Sequence, residues 1–232
     1  MGGIRPGSKS ERRMDIIRTG DQPAGVGKNR IENLTDGIFA FALTLLVLGL
    51  EVPIVPEETV PAAKLLISLF PDFFHYVLAF IVLAVIWVFH HQQFHHIQYI
   101  DRTMLWLNIS ALLFITLVPF SSSFADTYYN QQVASIFFSA NLIMIGLLNW
   151  LLWEHATKDY RLVGPDIDPY EILFEKKKNL IIPLLGIFAI ALSLIGVVWA
   201  AGIFYILPLI LFFVERWHDL HPPHVGGSRP LQ

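Results

Sequence analysis

Six apolar segments, each long enough to cross a lipid bilayer as a helix, restrict what this sequence can fold into. They lie at about residues 34–52, 72–97, 103–124, 132–155, 180–198 and 200–216. A hydrocarbon layer about 30 Å thick needs about 20 such residues, because an α-helix rises about 1.5 Å per residue. The period-two alternation of a membrane β-barrel is not visible in these segments. The sequence therefore predicts an all-α membrane protein with six transmembrane helices per subunit, embedded in a lipid bilayer.

The composition agrees with membrane insertion and excludes several other classes of protein. Hydrophobic residues make up 54% of the chain and charged residues 15%, whereas soluble domains usually contain about 25% charged residues. The net charge of −3 gives no polybasic signature for a nucleic-acid partner. The chain contains no cysteine, which excludes disulfides and cysteine-ligated zinc.

The distribution of lysine and arginine predicts the orientation in the membrane. If the N-terminus is cytoplasmic, the outer segments are 53–71, 125–131 and the short turn near Trp199. Of the 16 Lys and Arg residues, only Lys64 then lies outside. Because basic residues concentrate in cytoplasmic segments, both termini are predicted to be cytoplasmic.

The sequence is predicted to divide into a flexible basic N-terminal arm at residues 1–29, a six-helix transmembrane domain at 30–218 and a C-terminal tail at 219–232. The centres of the six predicted spans carry no Asp, Glu, Lys or Arg. Proton-coupled carriers usually place ionisable residues near the middle of the bilayer. The pattern therefore argues against a carrier, and any ion pathway would be lined by apolar or neutral polar groups.

One face of the first predicted helix carries large apolar residues at spacings of 3, 4, 3 and 4. These residues are Ile38, Phe41, Leu45, Leu48 and Val52. Periodicity alone favours a lipid-facing or packing surface for this stripe. The alternative is a hydrophobic pore constriction, formed where identical stripes from several subunits face one axis. Thr44 lies beside the stripe, and a lone threonine in a span usually hydrogen-bonds to the backbone four residues earlier.

Histidines are concentrated in two segments that the predicted orientation places at the cytoplasmic face. They are His90, His91, His95 and His96, followed by His218, His221 and His224. Neutral imidazoles bind iron and zinc, so a membrane metalloenzyme is one interpretation. No span supplies a supporting carboxylate, and no Ser/His/Asp set stands out, which favours a chain that has no metal site and is not an enzyme. The simpler interpretation is interfacial contact, with Trp87 and His91 four residues apart on one helix face.

The segment that opens the first helix resembles a known family. "RIENLTDG", with Arg30, Leu34, Thr35 and Asp36, is similar to the Arg-x-x-x-Phe-Ser-Asp signature of the transmembrane protein 175 family of potassium channels. Leu34 replaces the usual Phe, and Thr35 replaces Ser but retains the hydroxyl. The similarity continues through "IFAFALTLLVL", "WVFHH" and "LWLN", and it covers about the first 125 residues.

The resemblance implies a prokaryotic subunit with a single six-span repeat that assembles as a homotetramer in the cell membrane, without a voltage sensor or a P-loop filter. The first helix would line a central pathway for potassium, the permeant ion, and no cofactor is implied. The implied constriction consists of Phe41, Leu45 and Leu48, with Thr44 beside it. Phe41 departs from the family pattern, in which Ile or Leu is expected.

The same resemblance implies a structural network that anchors the first helix. Its members are Arg30, Thr35, Asp36, Trp87, His91 and Asn108. Arg30 and Asp36 are six residues apart, too far for an i,i+4 pair, so contacts with other helices are expected, with Trp87 and His91 as candidates.

These observations predict a potassium-selective or potassium-preferring cation channel with a hydrophobic constriction. An apolar constriction offers no replacement for an ion's hydration shell and can close by dewetting. Two alternatives remain open at this point, namely a proton-permeable leak through the same pore and a membrane metalloenzyme that uses the cytoplasmic-side histidines.

Overall fold

The computed structural model describes residues 27–54, 61–164 and 166–220. Most of the predicted N-terminal arm and C-terminal tail, together with His221 and His224, lies outside these ranges. Helix α1 begins at Lys28, two residues before the predicted boundary of the membrane domain.

The described residues form nine α-helices and three short 3₁₀ segments in which longer helices are continued or interrupted. The α-helices are α1 (Lys28–Leu45), α2 (Ala62–Ser68), α3 (Phe70–His96), α4 (Arg102–Thr116), α5 (Val118–Thr127), α6 (Gln132–Thr157), α7 (Pro169–Lys178), α8 (Ile181–Leu194) and α9 (Leu207–Leu220). The 3₁₀ segments are Leu46–Gly49, Lys158–Tyr160 and Ala200–Ile206. Within the described ranges the only strand-like pairing is one isolated bridge between Ile97 and Val163.

Six helical segments are long and apolar enough to span a membrane. They are Lys28–Gly49, Phe70–His96, Arg102–Thr127, Gln132–Tyr160, Pro169–Leu194 and Ala200–His218. The predicted all-α, six-span fold is therefore confirmed. The fifth span begins well before the predicted residue 180, because the charged helix α7 leads into the apolar helix α8. The orientation of the chain in the membrane stays a prediction.

Prolines account for the interruptions inside three of the spans. Pro119, Pro183 and Pro208 lie in the first turn of α5, α8 and α9, where a proline is tolerated because the missing N–H has no partner within the helix. A proline also has no N–H to donate to the carbonyl four residues earlier, so the run of helical hydrogen bonds is interrupted there. Each of these spans therefore consists of two helical pieces.

The most extensive contact between helices joins α6 and α8. A Cβ at Gly146 would overlap the ring of Pro183, and a Cβ at Gly186 would overlap the side chain of Ile143. Small residues let two membrane helices approach closely, which increases the packing contact between them. Around this pair, the main core cluster also takes in the inner faces of α1, α3 and α4.

Helix α1 presents one face to this core. Ile31, Thr35, Phe39 and Ala42 are each only 1% exposed, and their spacing of 4, 4 and 3 residues follows one side of the helix. The 3₁₀ segment extends this face to Leu46, which is also buried. The rest of the circumference of α1 is left largely uncovered by the subunit.

Candidate functional site

The apolar stripe lies on the side of α1 that the subunit does not cover. Phe41 is 63% exposed and Leu48 71% exposed, while Leu45 is partly exposed and Ile38 packs against the edge of the core. In the 3₁₀ segment, residues three apart eclipse each other, so Leu48 stays above Leu45. The stripe therefore faces either lipid or a second subunit.

The C-terminal end of the stripe differs from the sequence prediction. The 3₁₀ segment ends at Gly49, and Leu50 has an extended backbone with ψ of 98°. Val52 therefore does not continue the helical face, and its assignment to the stripe is wrong. Glycine at position 49 disfavours further helix, which explains the early end.

Thr44 bonds to its own helix, as a threonine in a span usually does. Its Oγ1 donates to the carbonyl oxygen of Phe41 at 2.7 Å, three residues back where the sequence argument expected four. The side chain is exposed. Because the hydroxyl proton is used by the backbone, the lone pairs of Oγ1 remain available to a group outside the helix.

Two polar contacts fix other sides of α1 to its neighbours. In the first, the indole Nε1–H of Trp87 on α3 donates to Asp36 Oδ1 at 2.9 Å. The ring of Trp87 also stacks on His91, with centroids 5.5 Å apart and planes 27° apart. This contact lies at the surface of the subunit.

The second contact is buried and joins three helices through one amide. Asn108 on α4 donates from Nδ2 to Thr35 Oγ1 at 3.0 Å, and its Oδ1 lies 2.9 Å from His90 Nε2. Since Oδ1 only accepts, the Nε2 of His90 carries the proton and donates. All three side chains are at most 3% exposed. A polar network that is satisfied in such surroundings favours one arrangement of its helices.

The structure thus brings together Thr35, Asp36, Trp87, His91 and Asn108 where α1, α3 and α4 meet. It does not bring Arg30 into this group. Arg30 is exposed, and no hydrogen bond or ion pair of its side chain is found in the described part of the chain.

His90 is the member of the network that sequence reasoning missed. Its neighbour His91 matches the family motif, but successive residues on a helix point about 100° apart. The signal was present in α3, whose buried residues include Ile86, His90 and Phe94 at spacings of four. This periodicity places His90 on the inner face and leaves His91 exposed.

Among the described residues, no group of three or more His, Asp or Glu side chains is placed to hold a metal ion. His96 packs edge-on against Trp153 at 6.1 Å, and His218 pairs with Glu171 at 3.2 Å. The histidines near the ends of α3 and α9 therefore take part in separate local contacts.

Ion pairs hold together the end of the bundle that is predicted to be cytoplasmic. Lys178 on α7 is only 2% exposed, and its Nζ contacts Glu175, Gln92 at 2.9 Å and Glu215 at 3.7 Å. The ammonium also lies 4.5 Å from the ring centroid of Phe89 on α3. A buried charge requires such compensation, and here it ties α7 to α3 and α9.

A second polar group at the same end surrounds Asp101, the N-cap of α4. Its carboxylate accepts from the backbone N–H of Met104 at 2.8 Å and from His155 at 2.8 Å, and Arg161 lies 3.8 Å away. Partial burial raises the pKa of the Asp101 carboxyl, but the hydrogen bonds from Met104 and His155 and the nearby charges outweigh it and hold the pKa below its usual value.

Comparison with known proteins finds one matching family and several similar chains. Residues 30–119 match the family described as "Endosomal/lysosomal potassium channel TMEM175". A protein of Chamaesiphon minutus that is named a potassium channel is 33% identical over 193 residues, which cover 81% of this chain and 93% of that protein. A protein of Streptomyces collinus, also named a potassium channel, is 31% identical over 145 residues, which cover 60% of this chain and 69% of that protein.

A solved structure has the same fold. The crystal structure of a lysosomal potassium-selective channel TMEM175 homolog from Chamaesiphon minutus matches with a TM-score of 0.68 at 30% identity, covering 82% of this chain and 97% of that chain. The stripe and both polar contacts lie within the matched residues 30–119. Since the family consists of ion channels, the metalloenzyme alternative is set aside. This six-span membrane protein belongs to the TMEM175 family of potassium channels.

Proposed function

We propose that the chain is one subunit of a homotetrameric potassium-selective or potassium-preferring channel whose pore is lined by α1. The observation that carries this proposal is the division of α1 into two faces. One face is held in the core, with Thr35 and Asp36 bonded to α3 and α4, while the stripe of Phe41, Leu45 and Leu48 is left uncovered. The potassium-channel names of the relatives support it.

One subunit cannot enclose an axial pore, so the proposal requires several copies around an axis. Four stripes would then form three stacked rings, at Phe41, Leu45 and Leu48. Four steps of α-helix at about 1.5 Å each and three steps of 3₁₀ helix at about 2.0 Å each make the constriction about 12 Å long. An apolar constriction of this length favours an ion that sheds its water readily, and potassium is hydrated less strongly than sodium.

Thr44 would supply the polar element beside the constriction. Its Oγ1 donates inward to the backbone, so its lone pairs can accept from water or contact a partly dehydrated cation. The rings need no bound cofactor besides the permeant ion. The prokaryotic relatives support a place in the cell membrane of a prokaryote.

The test is potassium flux through purified protein in liposomes. A potassium gradient should generate a membrane potential that a voltage-sensitive dye reports, and a sodium gradient of the same size should generate a smaller one. A pH-sensitive dye inside the vesicles measures proton entry in the same preparation. Proton flux without potassium flux would favour the leak alternative, and no flux of either ion at normal tetramer yield would contradict the proposal.

A further inference from the structure

An open groove lies along the first turns of α4, where the third span begins. Its volume is about 400 Å³, and it is lined by Arg102, Thr103, Trp106, Leu107 and Ser110. Sites for small molecules usually have volumes of about 300–1,000 Å³, so the groove has room for a small ligand.

The groove faces away from α1. Asn108, which bonds to α1, lies two residues from both Trp106 and Ser110. Two steps along an α-helix turn the side chain by about 200°, so Trp106 and Ser110 lie on the side of α4 opposite Asn108. The groove is therefore separate from the stripe, and a ligand bound there would not enter the proposed pore.

Three polar groups of the groove are donors without a partner. The Arg102 guanidinium, the Thr103 hydroxyl and the Trp106 indole N–H make no hydrogen bond or ion pair with the described residues, and all three side chains are exposed. Among the described residues no Asp or Glu lines the groove, and the neighbouring Asp101 carboxylate is bonded to His155 instead. A guanidinium and an indole N–H can only donate, so they complement an anion that accepts through several oxygens, such as a phosphate.

An exposed apolar track, formed by Ile109, Leu113 and Phe120, continues from the groove towards the middle of the span. Leu113 lies seven residues after Trp106, which is nearly two helical turns, so the two side chains share one side of α4. Phe120 extends the track onto α5. The surface therefore has donors and a positive charge at the edge of the span and apolar side chains deeper in it.

We propose that the groove binds an anionic phospholipid. The phosphate contacts the Arg102 guanidinium and the Thr103 hydroxyl, Trp106 contacts the glycerol region, and one acyl chain follows the track past Leu113. An anionic lipid presents its negative headgroup and its apolar chains in the same order as the surface does, whereas a soluble phosphate has no part that matches the track. Basic pockets on the cytoplasmic side of membrane helices bind anionic headgroups, and the predicted orientation places the groove on that side. Tryptophan is also enriched at this depth, because its ring is apolar and its N–H is a donor.

The experiment measures the Tm of the purified protein in an uncharged detergent during titration with phosphatidylglycerol. At about ten times the midpoint concentration, the lipid should raise Tm by about 4 °C. Phosphatidylcholine with the same acyl chains should raise Tm less, because its choline group compensates the charge of the phosphate. Inorganic phosphate should leave Tm unchanged, because it has no chains to lie on the track. No rise with phosphatidylglycerol, equal rises with the two lipids, or an equal rise with inorganic phosphate would overturn the proposal.

A matched pair of variants locates the site. Arg102→Gln should move the midpoint of the phosphatidylglycerol titration about ten-fold upward, because it removes a charge-assisted contact with the phosphate. Lys158→Gln is the control, because Lys158 is also an exposed cation near the same end of the bundle but does not line the groove. Equal midpoints for the two variants would overturn the proposal.

Trp106→Leu tests whether a second copy of the chain covers this face instead. The variant should keep the wild-type elution volume in size-exclusion chromatography and should bind phosphatidylglycerol several-fold more weakly. Loss of the oligomer would assign the face to contact between subunits and overturn the lipid site. If a variant does not fold, native mass spectrometry of the wild type decides, since phosphatidylglycerol should be retained in preference to phosphatidylcholine at equal supply and equal retention would contradict the proposal. Neither measurement depends on potassium flux.

Discussion

Replacing Thr35 by Val tests whether the buried amide of Asn108 holds helix α1 in place. Val has nearly the same shape as Thr but lacks the hydroxyl that accepts from Asn108 Nδ2 at 3.0 Å. Thr35 is 1% exposed and Asn108 0% exposed. Water therefore does not replace the lost acceptor, and one N–H of Asn108 is left unpaired.

The expected magnitude follows from the surroundings of this bond. A buried donor without an acceptor costs about 1–3 kcal/mol in soluble proteins. Interhelical hydrogen bonds in a membrane protein average about 0.6 kcal/mol and reach about 1.7, because the unfolded chain in the membrane also finds partners. We therefore expect Thr35→Val to lower the free energy of unfolding by about 0.6–1.7 kcal/mol. Asn108→Leu loses two bonds and should cost about twice as much.

The assay is reversible unfolding in mixed detergent and SDS micelles, arranged as a double-mutant cycle of Thr35→Val with Asn108→Leu. Their coupling energy should equal the cost of the shared bond. Ser110→Ala is the matched control on α4, because the Ser110 hydroxyl donates to its own helix at Trp106 O, 2.8 Å away. A Thr35–Asn108 coupling no larger than that between Thr35 and Ser110 would refute the reasoning. Thr35→Ser keeps the hydroxyl and should change stability by less than about 0.5 kcal/mol.

Three further predictions concern the stripe, the Asp101 carboxylate and the contact between Trp87 and Asp36. Leu45→Asn should raise potassium conductance and weaken discrimination against sodium. Leu43 is packed against the core, so Leu43→Asn should mainly reduce folded yield. A bi-ionic reversal potential of Leu45→Asn equal to that of the wild type would argue against placing the stripe on the pore axis. Asp101→Asn keeps an N-cap but loses the charge, so it should lower Tm at pH 7. The pKa of Asp101 is depressed in the folded state, so the stabilisation by its charge is present above the usual pKa of 3.8 and is lost as the pH falls through the folded-state pKa. The curves of Tm against pH for the wild type and Asp101→Asn should therefore converge in acid. A constant difference between the two curves would contradict this. Asp36→Ala removes the acceptor of the Trp87 N–H and should reduce tetramer yield in size-exclusion chromatography more than it changes selectivity; normal yield with altered selectivity would count against an anchoring role.

The six spans could be predicted because their signal is contained in single continuous segments. Length and hydropathy are enough to identify a membrane helix, and no contact with another segment is needed. The interruptions at Pro119, Pro183 and Pro208 follow from local chemistry in the same way. The end of α1 at Gly49 was less visible, because the apolar pattern runs on to Val52 while the backbone leaves the helix.

Contacts between helices could be predicted only where a motif named both partners. Asp36 and Trp87 meet as expected, but His90 rather than His91 bonds to Asn108. Arg30 belongs to the family motif, but its side chain lies outside the network in the single subunit, so membership of a motif does not establish a contact. The sequence does not distinguish the two interpretations of the stripe, because a face exposed to lipid and a face exposed to a pore have the same apolar composition. Its placement on an axis stays a prediction until the assembly is measured.

The close contact between α6 and α8 has a consequence for how this sequence can diverge. Gly146 and Gly186 leave no room for a side chain, so even a single methyl group at either position requires Pro183 or Ile143 to become smaller or to move. A larger residue at Gly146 therefore requires a change at Pro183, and a larger residue at Gly186 requires a change at Ile143. These positions also lie beyond residue 119, where the family match ends. Substitution at this seam is therefore limited by the fit between α6 and α8, whereas substitution at Thr35 and Asp36 is limited by the hydrogen bonds that hold α1.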